Sequence, residues 1–265
     1  MSAPTSLKMN HPLYIDSKIR RRYLIPHILH IWFSFIPVIF IEVGYAKLFN
    51  ILPPWLLLLL LPLNVIFIFY VLVITALIIM KIRLLFQYLR HKPREGIFPR
   101  DLNNKDYKFY SIRNYIRLFP SYVISSVPFP WFRRHLFFKA FDIKIGKDCT
   151  SQDIWVTPEF VDIGENVYIG YATAVLSSLI ERDKLIIKKI TIEDNVKIGV
   201  KSTIFPGVKI GKSAIIGGGT YVLPLKNIKE NSVYSGAPAE YIKKTSDISF
   251  SKEDFDKIIS DEKKK

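Results

Sequence analysis

The sequence predicts a mainly β protein: a left-handed parallel β-helix, preceded by an α-helical transmembrane hairpin and followed by a short C-terminal helix. Three observations predict it. Aliphatic residues recur at every sixth position in the second half, two charge-free apolar runs lie in the first half, and nearly all of the net charge of +15 borders those runs.

Residues 1–22 form a basic N-terminal segment ending in Arg20, Arg21 and Arg22. The hairpin occupies residues 23–82. Its two runs, 23–41 and 53–80, contain no Lys, Arg, Asp or Glu. A helix needs about 20 residues to cross the ~30 Å hydrocarbon core, so each is long enough. Pro26, His27, His30 and Pro37 interrupt the first run and leave an interfacial or re-entrant course open for it. Lys81, Arg83, Arg90, Lys92, Arg94 and Arg100 follow the second run, whereas the connection over 42–54 holds only Glu42 and Lys47. The positive-inside rule then places both ends, and the β-helix, on the cytoplasmic side of the cell membrane. A cleaved signal peptide is disfavoured, because the first run starts only at Tyr23 and no small-residue cleavage site follows it.

Residues 83–142 read as a basic, aromatic linker. Over 108–140, KFYSIRNYIRLFPSYVISSVPFPWFRRHLFFKA interleaves aromatic rings with Arg and Lys. That pattern suits short helices at the headgroup level, or aromatic packing beneath the next domain. Residues 1–140 carry 19 Lys/Arg against five acidic residues, a net of +14, while the remainder nets +1. Basic charge placed beside apolar spans points to membrane lipids as partners and not to nucleic acid. The single cysteine, Cys149, cannot close an internal disulfide.

The β-helix spans residues 143–242. Ile163, Ile169 and Val175 fall in one six-residue register, and Ile192, Ile198, Ile204, Ile210, Ile216, Val222 and Ile228 in another. Glycine follows the aliphatic residue at Gly164, Gly170, Gly199, Gly211 and Gly217, and the fifth place is small at Thr173, Ser202, Ala214 and Thr220. Each hexad makes one flat side and one corner of a triangular coil, so three hexads complete a coil. The aliphatic residue points inward, the glycine avoids a clash at the turn, and the corner has room only for a small residue. Ile145 lies three hexads before Ile163, so IGKDCT opens the first coil. From Val175 to Ile192 the spacing falls one position short of three hexads, and 177–190 lacks the repeat, which marks a projecting loop. The chain leaves the coil at Ser235-Gly236-Ala237-Pro238. In the tail, residues 243–265, Ser251 and Asp254 start the short amphipathic helix SKEDFDKII.

TIEDNVKIGVKSTIFPGVKIGKSAIIGGGTYVLP followed by NSVYSGAPAEYIKK resembles the hexapeptide-repeat acyltransferase superfamily, and VPFPWFRRHLFFKAFDIKIGKD resembles the segment leading into the coil in its membrane-associated branch. The resemblance implies a homotrimer with acetyl-CoA or another acyl-CoA lying between neighbouring coils, and no metal. It implies Gly199, Ser202, Gly217, Gly218 and Gly219 beside the pantetheine arm and Lys243 or Lys244 on the phosphates. The implied activity is acyl transfer to a hydroxyl or amine, and the membrane anchor suggests a lipid-linked acceptor such as a glycan or glycolipid precursor.

In many members a loop histidine takes the acceptor's proton, a task suited to a group titrating near neutrality. The loop VLSSLIERDKLIIKKI has no histidine, and all five histidines precede the repeat. Leu179 or Ser178 stands where the imidazole is expected. Three readings follow: Glu181 acts as base, or positioning of a deprotonated amine suffices; His91 or His135 supplies the imidazole; or the protein is an inactive trimeric scaffold or binding subunit. Zinc chemistry of the γ-class carbonic anhydrase kind is excluded, since its three histidines have no counterparts beyond residue 135.

Overall fold

The computed structural model describes residues 12–101, 103–129, 136–151 and 154–247, with the side chains of 12–22 and 49 left aside. The expected C-terminal helix and His135 lie outside the described residues. Two units emerge. One comprises the described residues of Met1–Phe141 with Ile180–Ile186, the other those of Asp142–Leu179 with Ile187–Lys265.

The first unit is built on helices α1, Pro12–Lys47, and α2, Pro54–Arg90, joined by a short 3-10 turn at Leu48–Asn50. Within them, Tyr23–Lys47 and Pro54–Arg90 are long and apolar enough to cross a membrane, with mean hydropathy 2.0 and 2.9. Both helices outrun their charge-free stretches: α1 continues through Glu42 and α2 through Lys81, Arg83 and Arg90. Side-chain hydrogen bonds join them at several levels. Thr75 Oγ1 donates to Ser34 O (2.9 Å), Tyr45 OH to Leu57 O (2.6 Å) and Asn64 Nδ2 to Glu42 Oε1 (2.9 Å).

Helix α3, Lys105–Ser125, starts where Asn104 Oδ1 accepts from the Tyr107 N–H at 3.1 Å, with Asp106 favourably placed in the first turn. It packs on α1 and α2 and buries Tyr107, Ile112, Ile116 and Ile124 together with Arg113 and Arg117. Tyr122 and Leu118 stay exposed. Residues 105–125 of the basic, aromatic segment thus form a third helix of this unit.

The second unit is a parallel β-helix with three sheets. The first stacks Ile145, Ile163, Ile192, Ile210 and Ile228; the second Ser151, Ile169, Ile198, Ile216 and Tyr234; the third Val156, Val175, Ile204 and Val222. Ile192, Ile198, Ile204 and Val222 are at most 1% exposed. Burying each such side chain contributes about 1.5–3 kcal/mol. Thr173, Ser202, Ala214 and Thr220 are equally enclosed at the corners, as the small fifth place predicts.

Two features were not expected. Three positions after the inward residue the backbone turns left-handed, at Asp148, Asn166, Ala172, Asn195, Lys201, Gly207, Ser213, Gly219, Leu225 and Asn231. The glycine following the aliphatic residue is needed instead for close approach: a Cβ on Gly164 or Gly170 would lie 2.6 Å from an atom of the next coil. The second feature corrects the expected one-residue shortening. Regular coils pair at three hexads, as Ile192 with Ile210, but Ile163 pairs with Ile192, much farther along the chain, so this coil carries an insertion of nearly two hexads.

Candidate functional site

The cofactor-side candidates gather on one corner. After Ile198 and Ile216 in the second sheet, the chain turns toward the third through 199–202 and 217–220. Here four glycines have different physical reasons. A Cβ on Gly199 would lie 2.6 Å from Gly217 C and 2.7 Å from Gly218 Cα, so only glycine lets these coils stack. One on Gly217 would meet Ser235 Oγ at 2.6 Å. Gly219 has open space around it but a φ of +66°, the left-handed region. Gly218 has neither constraint: a Cβ there would touch only Val200, at 3.5 Å or more, and the residue is exposed. Coil geometry therefore accounts for three of the four, and neither close packing nor φ requires glycine at Gly218.

Ser202 faces inward. It is 1% exposed and its Oγ donates to Gly217 O at 2.9 Å, so its hydroxyl is committed inside the coil and the residue offers no open surface within one chain. Thr173 and Thr220 do the same, donating to Gly199 O (3.0 Å) and Gly217 O (2.7 Å). Lys243 and Lys244 sit on the final strand, Glu240–Lys244, which pairs antiparallel at the edge of the same second sheet. Both are exposed, and Lys243 Nζ donates to Asp247 O at 3.4 Å. Glycine corner and lysine edge thus belong to one sheet.

The catalytic candidates lie on the insertion, which leaves the coil after Val175, at the next corner. Ser177 is buried, its Oγ donating to Glu159 O (2.7 Å), and Lys188 N–H donates to Ser177 O (3.0 Å) to close the root. Half-buried Ser178 opens the strand Ser178–Glu181, and exposed Glu181 closes it. The chain returns through Lys184–Ile187, which pairs with Gly96–Pro99 of the helical unit. Within one chain, the third sheet lies between the glycine corner and the root of the insertion.

His91 is committed elsewhere. It caps α2, with its N–H on Gln87 O (2.9 Å), and its Nε2 lies 3.0 Å from Asp106 Oδ1. Arg94 binds the same carboxylate in a fork, Nε to Oδ1 at 2.7 Å and Nη2 to Oδ2 at 2.6 Å. Its hydrogen bonds hold the Asp106 carboxyl below the usual carboxylate range, against the opposing effect of burial, and Arg94 is raised by the same contact.

A family model described as the hexapeptide repeat of succinyl-transferase matches residues 189–224, which include the whole glycine corner. The chain is 28% identical over 148 residues to the acetyltransferase-type protein YvoF of Bacillus subtilis (strain 168), covering 52% of this chain and 84% of that protein. It is 36% identical over 91 residues to the 2,3,4,5-tetrahydropyridine-2,6-dicarboxylate N-acetyltransferase of Staphylococcus aureus (strain JH9), covering 34% of this chain and only 36% of that enzyme. Among solved structures, a maltose O-acetyltransferase from Clostridium difficile 630 aligns with 57% of this chain and 92% of its own, at 20% identity and a TM-score of 0.45. The repeat that shapes every coil, matched separately over the glycine corner, makes the chain similar to proteins of the hexapeptide-repeat acyltransferase superfamily.

Proposed function

We propose that the protein is a membrane-anchored acyltransferase that moves an acetyl or related short acyl group from acyl-CoA to a hydroxyl or amine of a lipid-linked glycan or similar acceptor. The observation that carries the reading is Gly218, a glycine required by neither packing nor φ, on a corner flanked by Gly199, Gly217 and Gly219. A flat corner without side chains accommodates an extended pantetheine arm against backbone groups, and exposed Lys243 and Lys244 on the same sheet suit its phosphates. When bound, acetyl-CoA supplies an activated thioester carbonyl. Glu181 takes the proton as the acceptor oxygen or nitrogen attacks, and the CoA thiolate leaves.

The coil is left-handed and the assembly a homotrimer in this reading. The third sheet separates the glycine corner from the insertion within a chain, so a neighbouring coil is what brings one chain's corner to another's insertion. With α1 and α2 spanning the membrane and the basic ends of the hairpin inside, the coil faces the cytoplasm.

The missing loop histidine favours a second reading, an inactive scaffold or binding subunit. Titrating acetyl-CoA into the purified full-length protein in detergent separates the two. The transferase reading expects saturable binding, with a Kd below about 1 mM, and slow release of free thiol. Absence of binding at that concentration leaves the scaffold.

A further inference from the structure

The helical unit holds a polar cluster inside apolar packing. Arg83 Nη1 lies 3.0 Å from His30 Nδ1, and His30 Nε2 lies 3.0 Å from Ala76 O. A guanidinium only donates and a carbonyl only accepts. His30, 1% exposed, therefore carries its proton on Nε2 and is neutral, which leaves the charge of Arg83 uncompensated. Among the described residues no carboxylate faces Arg83; its neighbours are His30, His27 and, from α3, Tyr115. Among the described residues, the buried polar atoms without a hydrogen-bond partner include His27 Nδ1, on a ring tilted 45° against Tyr115 with centroids 4.8 Å apart, and Gln87 Oε1, one helical turn beyond Arg83. An ionisable group placed this way in a membrane helix is costly and calls for a partner.

An apolar cavity of about 290 Å³ opens on the same α1–α2 pair, lined by Phe33, Ile36, Pro37, Thr75, Ile78 and Ile79. Its α2 residues precede Arg83 by four to eight positions and its α1 residues follow His30 by three to seven. At 1.5 Å rise per residue, the cavity's α2 residues lie roughly 6–12 Å along the helix axis from Arg83. The direction is toward the middle of the charge-free runs. Cation and unpaired polar atoms thus stand where the apolar run of α2 ends, and the cavity stands deeper, which is the layout of an amphiphile.

We propose that this cluster and cavity bind one lipid with an anionic phosphate headgroup. The phosphate takes hydrogen bonds from Arg83 and His27 Nδ1, Gln87 Oε1 accepts from a headgroup hydroxyl, and the first segment of a hydrocarbon chain fills the cavity. The assignment rests on the membrane reading of α1 and α2 and is independent of acetyl transfer.

The test is native mass spectrometry of the full-length protein in detergent, titrated with phosphatidylglycerol, with diacylglycerol of the same chains, and with inorganic phosphate. One phosphatidylglycerol binds per chain, at least about tenfold more tightly than diacylglycerol, and millimolar inorganic phosphate does not displace it. Arg83→Gln lowers that affinity by about tenfold or more. Ile79→Trp, which fills the cavity and leaves the polar cluster untouched, lowers it too, so the outcome does not hang on one variant folding. Equal binding of the two lipids, displacement by phosphate alone, or an Arg83→Gln protein that folds and binds unchanged overturns the proposal. Flotation with phosphatidylcholine vesicles distinguishes the failures: a chain that does not float sinks the membrane reading and this site together, whereas one that floats without lipid selectivity sinks this site alone.

Discussion

Alanine at Gly199, Gly218 and Gly219 separates three causes that look alike in the sequence. At Gly199 the new Cβ falls 2.6–2.7 Å from Gly217 C and Gly218 Cα, inside van der Waals contact, while the Gly199 N–H to Ile216 O bond of 2.8 Å ties the coils together. Such overpacking costs about 1–3 kcal/mol. At roughly 4–8 °C per kcal/mol for a domain of about 100 residues, Tm drops by about 4–24 °C. At Gly219 space is open but φ is +66°, and an L-residue there costs about 1–2 kcal/mol. At Gly218 the Cβ makes ordinary contact with Val200, at 3.5 Å or more, so the change stays within about 0.5 kcal/mol. Thermal unfolding of the purified full-length variants, followed by circular dichroism, reads all three. Acetyl-CoA titration adds the functional half: Gly218→Ala weakens binding several-fold while leaving Tm in place. A Gly218→Ala protein as destabilised as Gly199→Ala refutes the packing argument, and one with unaltered acetyl-CoA affinity removes Gly218 from the site.

Further outcomes follow from other positions. Asp106 is depressed chiefly by its hydrogen bond from Arg94, so its stabilising effect is present above the unfolded carboxylate value of about 3.9 and is lost as pH falls through the folded one. Melts of the wild-type protein therefore lose stability from about pH 4 downward, and Asp106→Asn flattens that acid limb. Lys201→Gly relieves a left-handed φ of 56° at some cost in unfolded-chain entropy, and raises stability by about 0.5–1 kcal/mol in chemical denaturation. Glu181→Gln lowers acetyl-CoA turnover by on the order of 100-fold at unchanged binding if the carboxylate is the base, and unchanged turnover excludes it.

The coil was legible because its periodicity is local: Ile192, Ile210 and Ile228 stack in one sheet since three hexads of chain make each coil, and the enclosed corners admit only residues such as Thr173 and Ala214. The apolar runs of α1 and α2 were legible for the same reason, as an uninterrupted composition. What depended on distant partners was not. The insertion looked like a coil one position short until the pairing of Ile163 with Ile192 showed nearly two hexads inserted into it. The aromatic, basic stretch told that a helix has an apolar side but not that α3 turns Arg113 and Arg117 into the hairpin. Gly199 and Gly218 read identically until the neighbouring coil occupied the space beside one and left the other open. His30 and Arg83, far apart in the chain, became one cluster only when the helices packed. Sequence alone determined the repeating unit and the membrane-length helices, because both follow from neighbours along the chain. The tertiary structure decided which glycine the coil itself does not require and which buried cation faces no carboxylate among the described residues, because those depend on residues brought close only by folding.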